Sequence, residues 1–398
     1  MSQTPTAERL RNRLVDAILS ERAVPSEVER AMRTVPRDAF LRGIELENAY
    51  TDQAVTIKDN PGQPLPLSCA SVPSVVAMML DQLGARPGDK VLEIGAGTGY
   101  NAALLTELVG GGNVTTVDID SDVALHARSA LNATGYESVT VIERNGLLGV
   151  HENAPYDRII ATVGIWDIPT IWWDQLADGG RLVLPLRWRG QTQSVALTRH
   201  GDELVSDGME LCGFIPVIGQ NGEQTASLNA TDTIRLHYDQ DQVIDTDALA
   251  DTLAAKKPTG HFLSAQRIGG EESFDGVWLR ATAEDDRVCR LEATAEAISQ
   301  DLIHRPATPG RSPVLVEGGS LAYLTLTREG VDPERPFRLG AAAYGPRGEE
   351  LAHDLIAQID AWGTARLAVP RMTVTPSATG AAPGHIINKP ESRLTLAY

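Results

Sequence analysis

The residues best suited to chemistry form one run, Val91-Leu92-Glu93-Ile94-Gly95-Ala96-Gly97-Thr98-Gly99-Tyr100. A short apolar stretch passes into three glycines at alternate positions and then into a helix-forming sequence. Small residues let the backbone approach a ligand closely, and a helix N-terminus offers N–H groups with no partner in the helix. A dinucleotide site needs the spacing Gly-x-Gly-x-x-Gly. Here the glycines fall at Gly-x-Gly-x-Gly, and Glu93 stands two residues before Gly95. A carboxylate at that place suits a cationic ligand better than a pyrophosphate. Further on, Val117-Asp118-Ile119-Asp120 ends a second apolar run in an acid, where a ribose diol would donate two hydrogen bonds to it. Together these features favour S-adenosylmethionine as the ligand, leaving S-adenosylhomocysteine as product. The bland alternative is a structural strand–turn–helix corner, which the acid after the second run disfavours.

Other chemistries lack their residues. The eight histidines are scattered singly and never reach metal-ligand spacing, so no metal is expected. The three cysteines, Cys69, Cys212 and Cys289, are odd in number and far apart, which argues against a disulfide framework and fits a reducing cytoplasm. Lys+Arg total 35 against 53 Asp+Glu, a net charge of −18. A surface that tracks phosphates carries the opposite sign, so neither nucleic acid nor an anionic membrane is an expected partner. No apolar run approaches the ~20 residues of a membrane span, and Glu8, Arg9, Arg11 and Arg13 exclude a secretory core at the start.

The elements that must position the glycine run can be read from periodicity. Leu10, Leu14 and Ile18 mark one face of a helix, and Ser26 with Glu29 reads as a capping box opening a second. From Tyr50 to Pro73 proline and glycine punctuation predicts a long loop, and residues 74–83 a helix ended by Gly84. Strand and helix then alternate: strands at Val91–Ile94, Val114–Val117, Val139–Ile142, Arg158–Ala161 and Arg181–Pro185, with helices at Tyr100–Val109 and about Asp122–Thr134. This is an α/β pattern, a parallel sheet covered on both faces, with its ligand at the C-terminal strand ends. The pattern changes after Gly219. We expect a first domain over 1–219, a polar linker over 220–233 and a C-terminal α+β domain over 234–398, with strands at 276–283, 288–293, 313–317 and 321–327 and a helix through Leu351, Leu355, Ile359 and Trp362. At 398 residues the chain is longer than one ordinary domain needs.

The glycine run and its acids resemble the Rossmann-like methyltransferases. Further stretches narrow the resemblance to the protein L-isoaspartate O-methyltransferase family: Val35-Pro36-Arg37-Asp38-Ala39-Phe40, Ala49-Tyr50-Thr51-Asp52, Ser71-Val72-Pro73-Ser74, Ala154-Pro155-Tyr156-Asp157 and Gly179-Gly180-Arg181-Leu182. It covers about residues 10–217. The resemblance implies that Ser71 is the active-site serine, that Glu93, Gly95, Ala96 and Gly97 cradle the cofactor, that Asp118 and Ile119 lie at the ribose, and that Asn145 and Gly146 match the Asp-Gly pair beside the adenine. The bland reading of Ser71 is a helix N-cap ahead of Pro73. Three departures stand out: the stretch Ile57–Ser71 is longer than the family's usual run, Asn145 replaces an aspartate, and the chain continues well beyond residue 220, where the repair enzymes usually end.

Methyl transfer from a sulfonium to a carboxylate needs no general base, because the carboxylate is already ionised at neutral pH. Catalysis then rests on bringing a carboxylate oxygen to roughly 3–3.5 Å from the methyl, opposite the sulfur. Ser71 would orient that carboxylate by donating a hydrogen bond, where a lysine or arginine would lower its nucleophilicity. Esterification makes a leaving group, and the next backbone nitrogen can close a succinimide that hydrolyses largely to isoaspartate. The longer loop and extra domain resemble the extended relatives found with ribosomally made peptides such as lanthipeptides and graspetides. The expected substrate is therefore an aspartate in a cyclised ribosomal precursor peptide. The alternatives are repair of isoaspartyl protein by an enzyme with an accessory domain, and a non-catalytic peptide binder that senses the cofactor. The second domain is assigned to substrate recognition or homo-oligomer formation.

Overall fold

The computed structural model describes residues 6–62, 65–255, 257–330, 332–377, 379 and 383–398. Its contacts divide the chain into two units. The first takes residues up to Leu186, Thr192–Gln220 and Val374–Pro376; the second takes Arg187–Gln191, Asn221–Thr373 and Ser377–Tyr398.

The first unit opens with α1 (Ala7–Glu21), α2 (Ser26–Thr34) and α3 (Leu46–Ala49), then strands β1 (Val55–Lys58) and β2 (Ser68–Ala70). The alternating part follows: α4 (Pro73–Leu83), β3 (Val91–Ile94), α5 (Tyr100–Val109), β4 (Val114–Asp118), α6 (Ser121–Ala133), β5 (Thr140–Glu143), β6 (Tyr156–Ala161), α7 (Ile171–Gln175), β7 (Leu176–Trp188), β8 (Gln191–His200) and β9 (Glu203–Leu211). The sheet runs β5-β4-β3-β6-β7-β8-β9. β3 pairs in parallel with both β4 and β6, β4 with β5, and β6 with β7. The chain thus steps outward from β3 to β5 and returns to the other side of β3, and a reversal of that kind leaves a crevice at the carboxyl ends of the strands.

The reasons for these elements are local. Every residue of β3 is buried, as a strand covered on both faces requires. The stripe Leu10, Leu14, Ile18 of α1 joins one apolar cluster with Val28, Met32, Leu80, Leu104 and Leu105. Each such side chain is worth roughly 1.5–3 kcal/mol when fully buried. Gly84, with φ of 55°, ends α4 in the left-handed conformation that glycine adopts without strain.

The chain continues with β10 (Glu223–Ser227), β11 (Ile234–Asp239), α8 (Thr246–Ala254), β12 (Pro258–Ile268), α9 (Asp275–Thr282), β13 (Val288–Ala293), α10 (Ala295–Ser299), β14 (Ser312–Glu317), β15 (Ser320–Arg328), β16 (Phe337–Tyr344), α11 (Gly348–Thr364), β17 (Arg371–Pro376), β18 (His385–Asn388) and β19 (Ser392–Ala397), all in the second unit except the end of β17. Seven strands make a sheet ordered β10-β11-β13-β14-β15-β16-β12, antiparallel throughout. Alternate residues feed opposite faces: Val314, Val316, Leu321 and Tyr323 enter one apolar cluster, Leu315, Ala322 and Leu324 the other. Trp278 and Trp362, buried on α9 and α11, belong to the second of these. The α/β first part and the α+β second part agree with the fold class expected from sequence.

Four local readings are corrected. Tyr50–Pro73 is not plain loop, because β1 and β2 pair as an antiparallel hairpin, Val55 opposite Ala70. The β-branched Val55, Thr56 and Ile57 outweigh the punctuation that follows. Ser26 is the first residue of α2 and caps nothing; Pro25 stands at the N-cap, and Ser26 Oγ donates to Glu27. Residues 276–283, read as a strand, lie mostly in α9, where Val277, Trp278, Ala281 and Thr282 are buried at helical spacing. The polar stretch 220–233, read as a linker, includes β10 at the edge of the second sheet. A polar strand with one neighbour needs no apolar face, which hides it from a search for hydrophobic alternation. No helix among the described residues is long and apolar enough to cross a membrane.

Candidate active site

The crevice at the carboxyl ends of β3 and β4 holds a cavity in the first unit. Ser71, Glu93, Gly95, Ala96, Gly97, Asp118, Ile119, Asn145 and Gly146 all line it. The structure therefore brings together every site residue named from sequence.

The glycine run is shaped by close approach at Gly95 and by open space at Gly97. Gly95 has φ of 100°, and a Cβ there would stand 2.7 Å from Thr162 Oγ1, whose hydroxyl donates to the Gly95 carbonyl (2.7 Å). Gly97, at φ of 51°, would meet nothing nearer than 4.0 Å. The N–H groups of Gly95 and Ala96 both donate to the Val117 carbonyl, tying the loop to the end of β4. That tie brings Asp118 under the loop, where its carboxylate accepts from Gly97 N (3.1 Å) and Asp120 N (3.1 Å). Burial pushes the Asp118 carboxyl above its ordinary range, while these backbone donors pull the other way. Ile119, 42 % exposed, offers an apolar surface beside it.

Glu93 lies deeper than a surface acid would. It is 0 % exposed and accepts from Thr116 Oγ1 (2.5 Å) and Asn101 Nδ2 (2.7 Å). Burial raises its pKa to about 7 against those two donors. A cation entering the cavity would favour the ionised form. Asn145 closes a turn by accepting from Leu147 N (3.0 Å), and the Gly146 carbonyl accepts from Trp172 Nε1 (3.1 Å). A Cβ on Gly146 would stand 2.5 Å from Ile94 Cγ2, so only glycine fits.

Ser71 sits between β2 and α4, and its hydroxyl makes no hydrogen bond with a described residue. The N-cap of α4 is Val72, which supplies no side-chain bond. Asp52 performs the capping instead, its carboxylate accepting from Ser74 N at 2.8 Å. Capping therefore does not account for Ser71, and its hydroxyl stays available to a ligand. The hairpin that leads to Ser71 is fastened at its loop end. Lys58 Nζ donates to Asp120 (2.7 Å) and Asp122 (2.9 Å), which lowers the Asp120 pKa.

Sequence reasoning left several lining residues out. Arg37 and Cys69 stood in or near quoted stretches without a role, and the segment Phe214–Ile218 carried no motif at all. That segment reaches the cavity because Gly164 N donates to Ile215 O and Val217 N to Gly164 O. Such pairing leaves no periodic trace in a single chain.

Comparison with known proteins bears on this geometry. The family profile described as Protein-L-isoaspartate(D-aspartate) O-methyltransferase matches residues 9–222. A protein-L-isoaspartate O-methyltransferase of Hyperthermus butylicus is 39 % identical over 224 residues, 53 % of this chain and 90 % of that one. Another, from Methanoregula boonei, is 38 % identical over 213 residues, 53 % of this chain and 94 % of its own. A solved protein-L-isoaspartate O-methyltransferase structure shares the fold at a TM-score of 0.52 and 20 % identity, over 97 % of this chain and 99 % of that one. That likeness takes in the second unit's fold as well as the first's. With the profile covering more than half of its length, the chain belongs to the protein-L-isoaspartate(D-aspartate) O-methyltransferase family.

Proposed function

We propose that the chain esterifies the free carboxylate of an isoaspartyl residue in a peptide or protein, with S-adenosylmethionine as methyl donor. The observation that carries this reading is the Ser71 hydroxyl, left without a partner at the cavity that Gly95–Gly97 and Asp118 line. The residues present fit the cofactor: a glycine loop along the cavity wall, a carboxylate at the end of β4, an exposed apolar Ile119 and a buried acid. When bound, S-adenosylmethionine supplies a methyl group on a sulfonium, ready for in-line displacement. The chain's own residues then have distinct tasks. Asp118 accepts from the ribose diol, Asn145 and Gly146 shape the adenine side, and Glu93 balances positive charge. Ser71 donates to the acceptor carboxylate and turns one oxygen toward the methyl; as a neutral donor it leaves that oxygen nucleophilic. No proton has to be removed, so the chemistry asks for no base beside Ser71. The test is methyl transfer to a linear isoaspartyl peptide, followed by mass and by later loss of methanol.

A second reading keeps the site and changes the substrate to an aspartate in a cyclised, ribosomally made precursor peptide. The rebuilt hairpin β1–β2, which leads directly into Ser71, favours it. The second unit, by contrast, does not distinguish the two, since a solved chain bearing the repair enzyme's name shares the fold over almost the full length. Preference for a cyclised aspartyl peptide over linear isoaspartyl peptides would select the second reading.

A further inference from the structure

The cavity contains one basic side chain among its lining residues, and the proposed reaction leaves it unused. Arg37 opens the short 3-10 turn Arg37–Phe40, lines the cavity and is 1 % exposed. Its Nε donates to the Ala49 carbonyl (3.1 Å) and its Nη2 to the Ser71 carbonyl (3.0 Å), while the guanidinium carbon lies 5.2 Å from the Tyr100 ring centroid. Among the described residues no carboxylate bonds to it and its Nη1 makes no hydrogen bond; Asp52, whose charge favours the guanidinium, stands off beyond ion-pair distance and accepts from Ser74 N instead. The acids that share the cavity have other partners: Glu93 is held by Thr116 and Asn101, Asp118 by the N–H groups of Gly97 and Asp120, and the Asp120 carboxylate by Lys58. Burial lowers the Arg37 pKa, yet a guanidinium remains charged in a protein. A cation buried against neutral carbonyls and a ring is unfavourable until an anion joins it.

We infer that Arg37 binds a carboxylate in the cavity through its guanidinium. That carboxylate has two sources, the acceptor group beside Ser71 and the amino-acid end of S-adenosylmethionine. The inference rests on the methyltransferase reading of the site and adds the group that supplies charge recognition. If the acceptor is the partner, the cation holds one oxygen while the other attacks; it lowers nucleophilicity and gains position, so its removal acts on KM more than on kcat.

The experiment compares the unsubstituted chain with Arg37→Gln and Arg37→Lys. Binding of S-adenosylhomocysteine and of 5′-methylthioadenosine, which lacks the amino-acid end, is measured by calorimetry, and steady-state kinetics use an isoaspartyl peptide. A charge-assisted hydrogen bond predicts a loss of about 10- to 100-fold in Arg37→Gln, partly recovered in Arg37→Lys. Weaker S-adenosylhomocysteine binding with 5′-methylthioadenosine unchanged assigns the cofactor's carboxylate. Unchanged cofactor affinity with a raised peptide KM assigns the acceptor. Three results overturn the inference: all values within twofold, equal weakening of both nucleosides, or a loss that lysine does not recover. Each would leave Arg37 with only the Ala49 and Ser71 carbonyls. If the unsubstituted chain binds neither nucleoside and methylates no peptide, the methyltransferase reading itself fails and takes the inference with it.

Discussion

Glu93 and Ser71 separate two things a site residue can do, tune charge and orient a reactant. Glu93 holds its proton with a pKa of about 7 in the fold, against an ordinary 4.5. The folded chain therefore binds a proton more tightly than the unfolded one. The stability this group contributes is complete below pH 4.5 and is lost as pH rises through about 7. Glu93→Gln should flatten that part of the stability–pH curve, read from denaturant midpoints at about pH 5 and about pH 8. In the unsubstituted chain, preference for S-adenosylmethionine over S-adenosylhomocysteine should grow as the pH rises through the same interval, because only the former carries the sulfonium. A preference that stays level would remove Glu93 from charge balance. Ser71→Ala should keep cofactor affinity and lose most turnover; unchanged turnover would refute its assigned role. The sequence pointed to residues that line one cavity and not to how they are held: Asn101 and Thr116, the donors on Glu93, are eight and 23 residues away from it in the chain.

Elements explain why the site was readable and where reading stopped. The strand–turn–helix unit β3–α5 is local, so composition and spacing alone disclose it. Gly146 depends on packing between β3 and the turn after β5. Gly146→Ala would drive a methyl group into Ile94, which typically costs about 1–3 kcal/mol. A lower unfolding temperature together with weaker cofactor binding is the expected result, measured by calorimetry; wild-type values in both would show that the turn is loose. The hairpin β1–β2 was missed because its pairing joins residues on either side of a proline- and glycine-bearing segment. Its fastening from Lys58 to Asp120 and Asp122 remains open to solvent on the lysine side and is only partly buried, so Lys58→Ala should cost little thermal stability. Cofactor release should become several-fold faster in that variant, checked by stopped-flow dissociation, and the difference should shrink at high salt. An unaltered release rate would mean that the hairpin does not bear on the cofactor. The α9 segment shows a different limit, for a short buried helix and a short buried strand share the same apolar composition.

On the scale of the whole molecule, the division into an α/β part and an α+β part was legible because strand–helix alternation gives way after residue 219 to hairpin signals. The edge strand β10 was not, since it lacks an apolar face. The substrate assignment changes more. Length beyond the methyltransferase part suggested peptide tailoring, yet a solved protein-L-isoaspartate O-methyltransferase shares the fold over 97 % of this chain. Length alone therefore no longer argues against repair. The net charge of −18 bears on nucleic acid and says little about the peptide. The central claim is methylation of an isoaspartyl carboxylate. It is tested most directly by giving the full chain S-adenosylmethionine with two linear peptides that differ only in carrying isoaspartate or aspartate, and following methyl ester by mass. Ester is expected on the isoaspartyl peptide and none on its aspartyl isomer. Ester on neither peptide, or on the aspartyl peptide alone, would contradict it.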